Sequence, residues 1–275
     1  MLKRMNTLIY SGLISVALMA LPLWSAQTPS GLIQSLKAEN DWKNAAYIIQ
    51  AFGEVALNNE YDNAKHGVRK WRMPIRVFIE HQVGDSALHT QLVQMHLTHL
   101  AEITGHDIQR TNTPSEANIH LVFTRQSQWT SEVERLMGQS ATKNLHGSVC
   151  IGKFALNAQH EIARAWIIIP VDQAKMHGKL VACVVEEITQ VLGLPNDSEK
   201  VFPSIFNDKT PQDLLTGLDY ILLKLLYSPS ISVGMTADEA KQPLQTLIGQ
   251  WLRDGTVANA DKTVCQGELY PLLGY

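Results

Sequence analysis

The segment 183–197, Cys-Val-Val-Glu-Glu-Ile-Thr-Gln-Val-Leu-Gly-Leu-Pro-Asn-Asp, limits the fold of this chain more than any other stretch. At 100° per residue, Val181, Val184, Val185, Ile188, Val191 and Leu192 gather on one side of a helix. Cys183, Glu186, Glu187, Gln190 and Gly193 gather on the other. One helix over 179–194 is expected to bury its apolar side on a sheet and turn its acidic side to a cleft or to solvent. An ordinary amphipathic surface helix capped by Gly193 satisfies the same pattern.

The neighbouring elements supply the sheet. Residues 30–57 carry apolar side chains at helical spacing, and 75–80 (Ile-Arg-Val-Phe-Ile-Glu) reads as a strand. Residues 86–103 form a long amphipathic helix with Leu88, Leu92, Val93, His96, Leu97, Leu100 and Ile103 on one face, ended by Gly105. Strands are expected over 107–110 and 118–124, then a polar region, then strands over 147–154 and the strongly apolar 164–170. Thr210-Pro211-Gln212-Asp213 reads as the start of a helix reaching Tyr227. Thr236 to Glu239 forms a capping box for a helix toward Trp251, with a kink expected at Pro243. The fold class is α+β: a twisted mixed sheet with a backing helix and the 179–194 helix, plus N- and C-terminal helices, in a single domain over 27–275.

The N-terminus reads as an export signal. Met1-Leu2-Lys3-Arg4 is basic, 8–23 is apolar and uncharged, and Ser25-Ala26 precedes polar Gln27. Cleavage is expected near Ala26, giving a signal peptide over 1–26 and a periplasmic or secreted protein. The membrane is touched only through this segment if it stays uncleaved. In such a compartment disulfides persist. Cys150 and Cys183 flank the strand before the motif helix and are the expected pair, with Cys265 left over; three buried inert thiols are the alternative. The net charge of −3 and the short, interrupted basic clusters discount nucleic acid as a partner.

The spacing of the polar residues resembles the H-E-x-x-H-x-x-G-x-x-H helix of metzincin-type zinc peptidases. In that frame Glu186 and Gln190 stand at the helical ligand positions, Glu187 at the general base, Gly193 at the glycine and Asn196 at the third ligand. The order of strands and helices resembles a zincin N-terminal subdomain, and Met235 in the 228–235 turn is similar to the metzincin Met-turn. Every histidine of the motif is replaced. More specifically, Phe52-Gly-Glu-Val-Ala, Lys70-Trp71 with Pro74-Ile-Arg-Val, Glu186 to Asp197, Ser204-Ile-Phe-Asn-Asp208 and Gly234-Met235-Thr236 resemble an uncharacterised family of exported bacterial proteins. That family is known only as a domain of unknown function, and many members are described as lipoproteins. The resemblance covers about 45–245 and implies an exported α+β domain related in layout to zincins.

Glu186, Gln190 and Asn196 offer oxygen donors only. Zinc prefers Cys and His; an oxygen set suits a hard cation such as Ca²⁺ weakly, or no ion. The expected reading is a degenerate cleft in which Glu186, Gln190, Asn196 and Asp197 bind an envelope peptide or protein without zinc. Two alternatives stay open. One is an active hydrolase, of peptide or glycan, using Glu187 as catalytic residue with a hard metal ion or a second carboxylate such as Asp197 or Asp208. The other is a structural envelope component.

Overall fold

Five strands, β1 (Ile75–His81), β2 (Ile108–Arg110), β3 (Ile119–Thr124), β4 (Ile151–Leu156) and β5 (Ile162–Pro170), form one sheet in the order β2-β1-β3-β5-β4. The β1–β2, β1–β3 and β3–β5 pairs are parallel. β4 runs antiparallel to β5 and forms one edge. The computed structural model describes residues 42–58, 66–145, 147–210 and 212–275, all within the unit Ala38–Tyr275. The signal expected over 1–26 and the first part of the helix expected over 30–57 lie outside the described residues. The remainder of that helix is α1 (Ala45–Ala56).

Strand alternation divides the interior into two cores. Ile119, Leu121 and Phe123 of β3 and Ala165, Ile167 and Ile169 of β5 face the large core. Val122, Ile168 and Ile151 point the other way, into a smaller core. That second face is covered by α3 (Gln126–Met137), in the region the sequence left as polar. Its composition hides it, because only Trp129, Val133 and Met137 are buried, one side chain per turn.

The large face carries α2 (Ser86–Thr104), which ends at Gly105 with φ +66° as its glycine foretold. Beside it lies the motif helix α5 (Leu180–Gln190), reached from β5 through the short α4 (Val171–Met176). After it come α6 (Gly217–Tyr227), α7 (Ala237–Arg253), α8 (Ala260–Val264) and α9 (Leu269–Leu273). α7 has the expected Thr236/Glu239 capping box and continues through Pro243. α6 starts six residues later than Thr210 suggested. Its cap is Thr216, whose side chain accepts from Asp219 N while the Asp219 carboxylate accepts from Thr216 N. Asp219 is also anchored by Ser204 and Ile205, so the start of the helix is fixed by a loop distant in sequence.

The two-sided projection of the motif helix is corrected by the fold. α5 packs on α2, α4, β4 and β5, and Cys183 and Glu187 are buried along with Val184, Val185 and Ile188. Glu187 retains only 6% exposure. It fits beneath the edge strand because Gly152 of β4 has no side chain. A Cβ there would stand 2.7 Å from Glu187 Oε2 and 3.2 Å from Val191 Cγ1. His96 of α2 joins the two helices: its Nε2 lies 3.0 Å from both the Val185 carbonyl and the Thr189 hydroxyl.

Three consecutive side chains hold three helix C-termini, where carbonyls lack intrahelical partners. Arg69 donates to the Ala56 and Asn58 carbonyls after α1. The buried Lys70 ammonium donates to Leu226 (2.8 Å), Ser228 (3.2 Å) and Ile231 at and just past the end of α6. Trp71 Nε1 donates to the Val191 carbonyl that closes α5 (2.9 Å). Gly193, with φ +120°, is required here because a Cβ would lie 2.0 Å from the Arg69 carbonyl oxygen.

Cys150 and Cys183 are bonded, with Cα atoms 5.9 Å apart, tying the lead into β4 to the motif helix. Cys265 is free and exposed. Thiol titration of denatured, unreduced protein is expected to count one thiol per chain. Three would show that the bridge does not form.

Candidate functional site

The motif helix, the loop after it and the chain leading into β4 enclose a polar groove of about 210 Å³. Glu186 and Gln190 enter from successive turns of α5, and Asp197 and Asp208 from the loop. Gln190 Nε2 donates to Asp197 Oδ1 at 2.9 Å. Glu186, Asp197 and Asp208 each present a carboxylate oxygen, all within 4.8 Å of one another. Ser148, the Cys150–Cys183 bridge and Glu187 also line the groove.

The loop is held so that neighbouring residues face opposite ways. Asn196 turns toward α1, where its backbone N–H donates to Val55 O (3.3 Å) and its side-chain amide to Glu54 O (2.8 Å). Asn196 therefore does not line the groove, and only its neighbour Asp197 does. Glu54 also takes Ser198 and Lys200, fixing the loop further. Asn207 forms the turn that presents Asp208, its Oδ1 accepting from the Lys209 and Thr210 backbone N–H groups.

Of the residues singled out from sequence, Glu186, Glu187, Gln190 and Asp197 share the groove. Asp208, named from sequence as a second carboxylate, joins the cluster from the turn that Asn207 forms. Lys179, Asn207 and Gln212 are further lining residues that sequence gave no reason to pick. Met235 packs against the large core, with its carbonyl accepting from Val68 N, and does not line the groove.

Electrostatically the groove is acidic. Its one lysine, Lys179, is already paired with Asp213 at 2.9 Å. No described histidine lines it, and its two sulfurs are joined to each other. The donors are carboxylate and amide oxygens, a set that hard cations or cationic ligand groups can use and that zinc does not favour.

A family model described as "Protein of unknown function (DUF2927)" matches residues 45–246. The chain belongs to that family. The matched region spans every strand, the motif helix, the groove and the Arg69-Lys70-Trp71 contacts. It also contains Gly152 and both bridged cysteines. No curated protein and no solved structure matches the chain.

Proposed function

We propose that this chain is an exported cell-envelope protein with a zincin-like layout, whose cleft binds a peptide or protein partner without zinc. The observation that carries the reading is the convergence of Glu186, Gln190, Asp197 and Asp208 in one groove beneath the sheet edge. The layout is supported by the order of one strand, a helix, four strands and the motif helix, with α3 and α4 added, and by the motif helix lying on the sheet beside α2. Export is supported by the basic and apolar N-terminus and by the disulfide. An acidic groove beside an edge strand suits an extended segment carrying Lys, Arg or a free amine. Charge draws the segment in, and the unpaired edge of β4 offers backbone hydrogen bonds.

Calorimetry with the amidated tetrapeptide Lys-Gly-Gly-Ala provides the test. Binding is expected to weaken with salt, and about 30-fold or more on Glu186→Gln with Asp208→Asn, since each charge-assisted contact contributes about 1–2 kcal/mol. Both substitutions sit at the groove surface, so stability is expected to change by about 0.5 kcal/mol or less. Binding unaffected by either change would refute the acidic-groove reading. Stoichiometric zinc in protein purified without added metal would contradict the zinc-free part.

A hydrolytic reading draws on the same carboxylate trio as a hard-cation set near Glu187. It is the weaker of the two, because Glu187 is packed under Gly152 rather than standing open above the groove. Hydrolysis that requires Ca²⁺ and is lost on Glu187→Gln would reverse that order.

A further inference from the structure

A second cavity, of about 380 Å³, opens beside the groove, between the start of α6 and the C-terminal helices. Gln212 lines both cavities. So does one ion pair, since Lys179 belongs to the groove and Asp213, 2.9 Å away, to the second cavity. The two spaces are neighbours, with Gln212 and the Lys179–Asp213 pair between them.

Their chemistry differs. The second cavity is walled by Phe202, Leu214, Leu215, Val264, Tyr270 and Tyr275. Its two carboxylates are already neutralised, Asp213 by Lys179 and Asp261 by Lys43 at 2.6 Å. The Tyr270 hydroxyl donates to the Leu215 carbonyl, so that ring is held as a fixed wall. Paired charges leave a cation no free carboxylate there, and the Tyr270 wall offers an apolar group a surface to cover.

Size points the same way. Ligand sites run to about 300–1,000 Å³. The groove at 210 Å³ falls short, while the second cavity at 380 Å³ does not. An occupant filling both would present a cationic residue to Glu186, Asp197 and Asp208 and an apolar one across the Lys179–Asp213 pair.

We infer that the second cavity is an apolar subsite for the same ligand, taking an aromatic or large aliphatic side chain of a peptide whose cationic residue occupies the groove. The inference rests on the groove reading above and adds the second half of the recognised pattern.

Cys265 lines the second cavity and is exposed, so the protein carries its own reporter. Burial and Asp261 raise its thiol above the ordinary range, so alkylation by N-ethylmaleimide is best followed near pH 8. Lys-Gly-Gly-Phe amide is expected to slow that alkylation saturably, whereas Lys-Gly-Gly-Ala amide leaves it unchanged. In calorimetry the Phe peptide should bind about tenfold more tightly, the expected return for burying one phenyl group. Prior alkylation of Cys265 should abolish the preference and leave the Ala peptide unaffected. If both peptides bind equally and neither protects Cys265, the subsite is wrong while the groove stands. If the Phe peptide protects Cys265 but Glu186→Gln with Asp208→Asn does not weaken it, the cavity binds apolar groups and the groove reading fails. If neither peptide binds, both fall.

Discussion

Lowering the pH from 7 to 4.5 is expected to take about 3 kcal/mol from the stability of the fold. Two buried imidazoles dominate. Burial holds His96 down to about 3, with His99 adding repulsion and the Val185 carbonyl opposing, and burial holds His99 down to about 4. In the unfolded chain both titrate near the model value of 6.5. Their contribution is complete above about pH 6.5 and is lost as the unfolded state takes up protons that the native state refuses. At pH 4.5 that is about 2 pH units for each, or about 5 kcal/mol together. Asp219 works in the opposite direction. Burial pushes it up to about 6 despite its Ser204, Thr216 and Ile205 donors, so the native state gains as pH falls from 6 toward 3.8. That offsets about 2 kcal/mol at pH 4.5. His81, His89 and His120 are also lowered by burial and add to the loss. Urea unfolding at pH 7 and 4.5 measures the difference, and His99→Gln is expected to remove close to half of the histidine part. Stability that stays flat across this range would mean that these imidazoles are not held neutral.

The second large effect is expected from Lys70→Met, at about 3 kcal/mol. The ammonium is the donor to three carbonyls at and just past the end of α6, and a buried acceptor left without a partner costs about 1–3 kcal/mol. Part of this is recovered, because the variant no longer buries a charge. Burial, with a smaller push from Arg72, lowers Lys70 to about 8, so the group is still charged at neutral pH. Met keeps most of the apolar stem, which isolates the polar loss from a packing loss. Denaturant unfolding at pH 7 reads the total. Amide exchange should show the last turn of α6 opening first. An unchanged midpoint would show that other donors serve those carbonyls.

Much of the sheet was legible because its strands alternate or run continuously apolar, and α2 because it is long and ends at glycine. The disulfide was legible from placement on either side of β5. α3 was missed because a helix that buries one residue per turn has almost the composition of a loop. The late start of α6 was missed because a local Thr-Pro-Gln-Asp signal lost to Thr216 and Asp219, which are held by Ser204 and Ile205. The groove was half legible. Helical spacing was enough for Glu186 and Gln190, since both project from one helix. It was not enough for Asn196 or Glu187. The first is claimed by the α1 backbone, and the second is covered by an edge strand whose Gly152 admits it. Both outcomes depend on chain segments more than thirty residues away, which no local pattern encodes.

The Arg69-Lys70-Trp71 contacts impose an order of events on synthesis. Lys70 reaches Ile231, 161 positions downstream, and Trp71 reaches Val191, 120 positions downstream. A ribosome releases the N-terminal partner of each bond long before the other. Until residue 231 has emerged, the Lys70 ammonium lacks the last of its three carbonyl acceptors. Contacts of such long range slow closure in general. The contacts around Lys70 are therefore completed only late in synthesis. Any fragment that stops short of Ile231 lacks the last of the Lys70 acceptors.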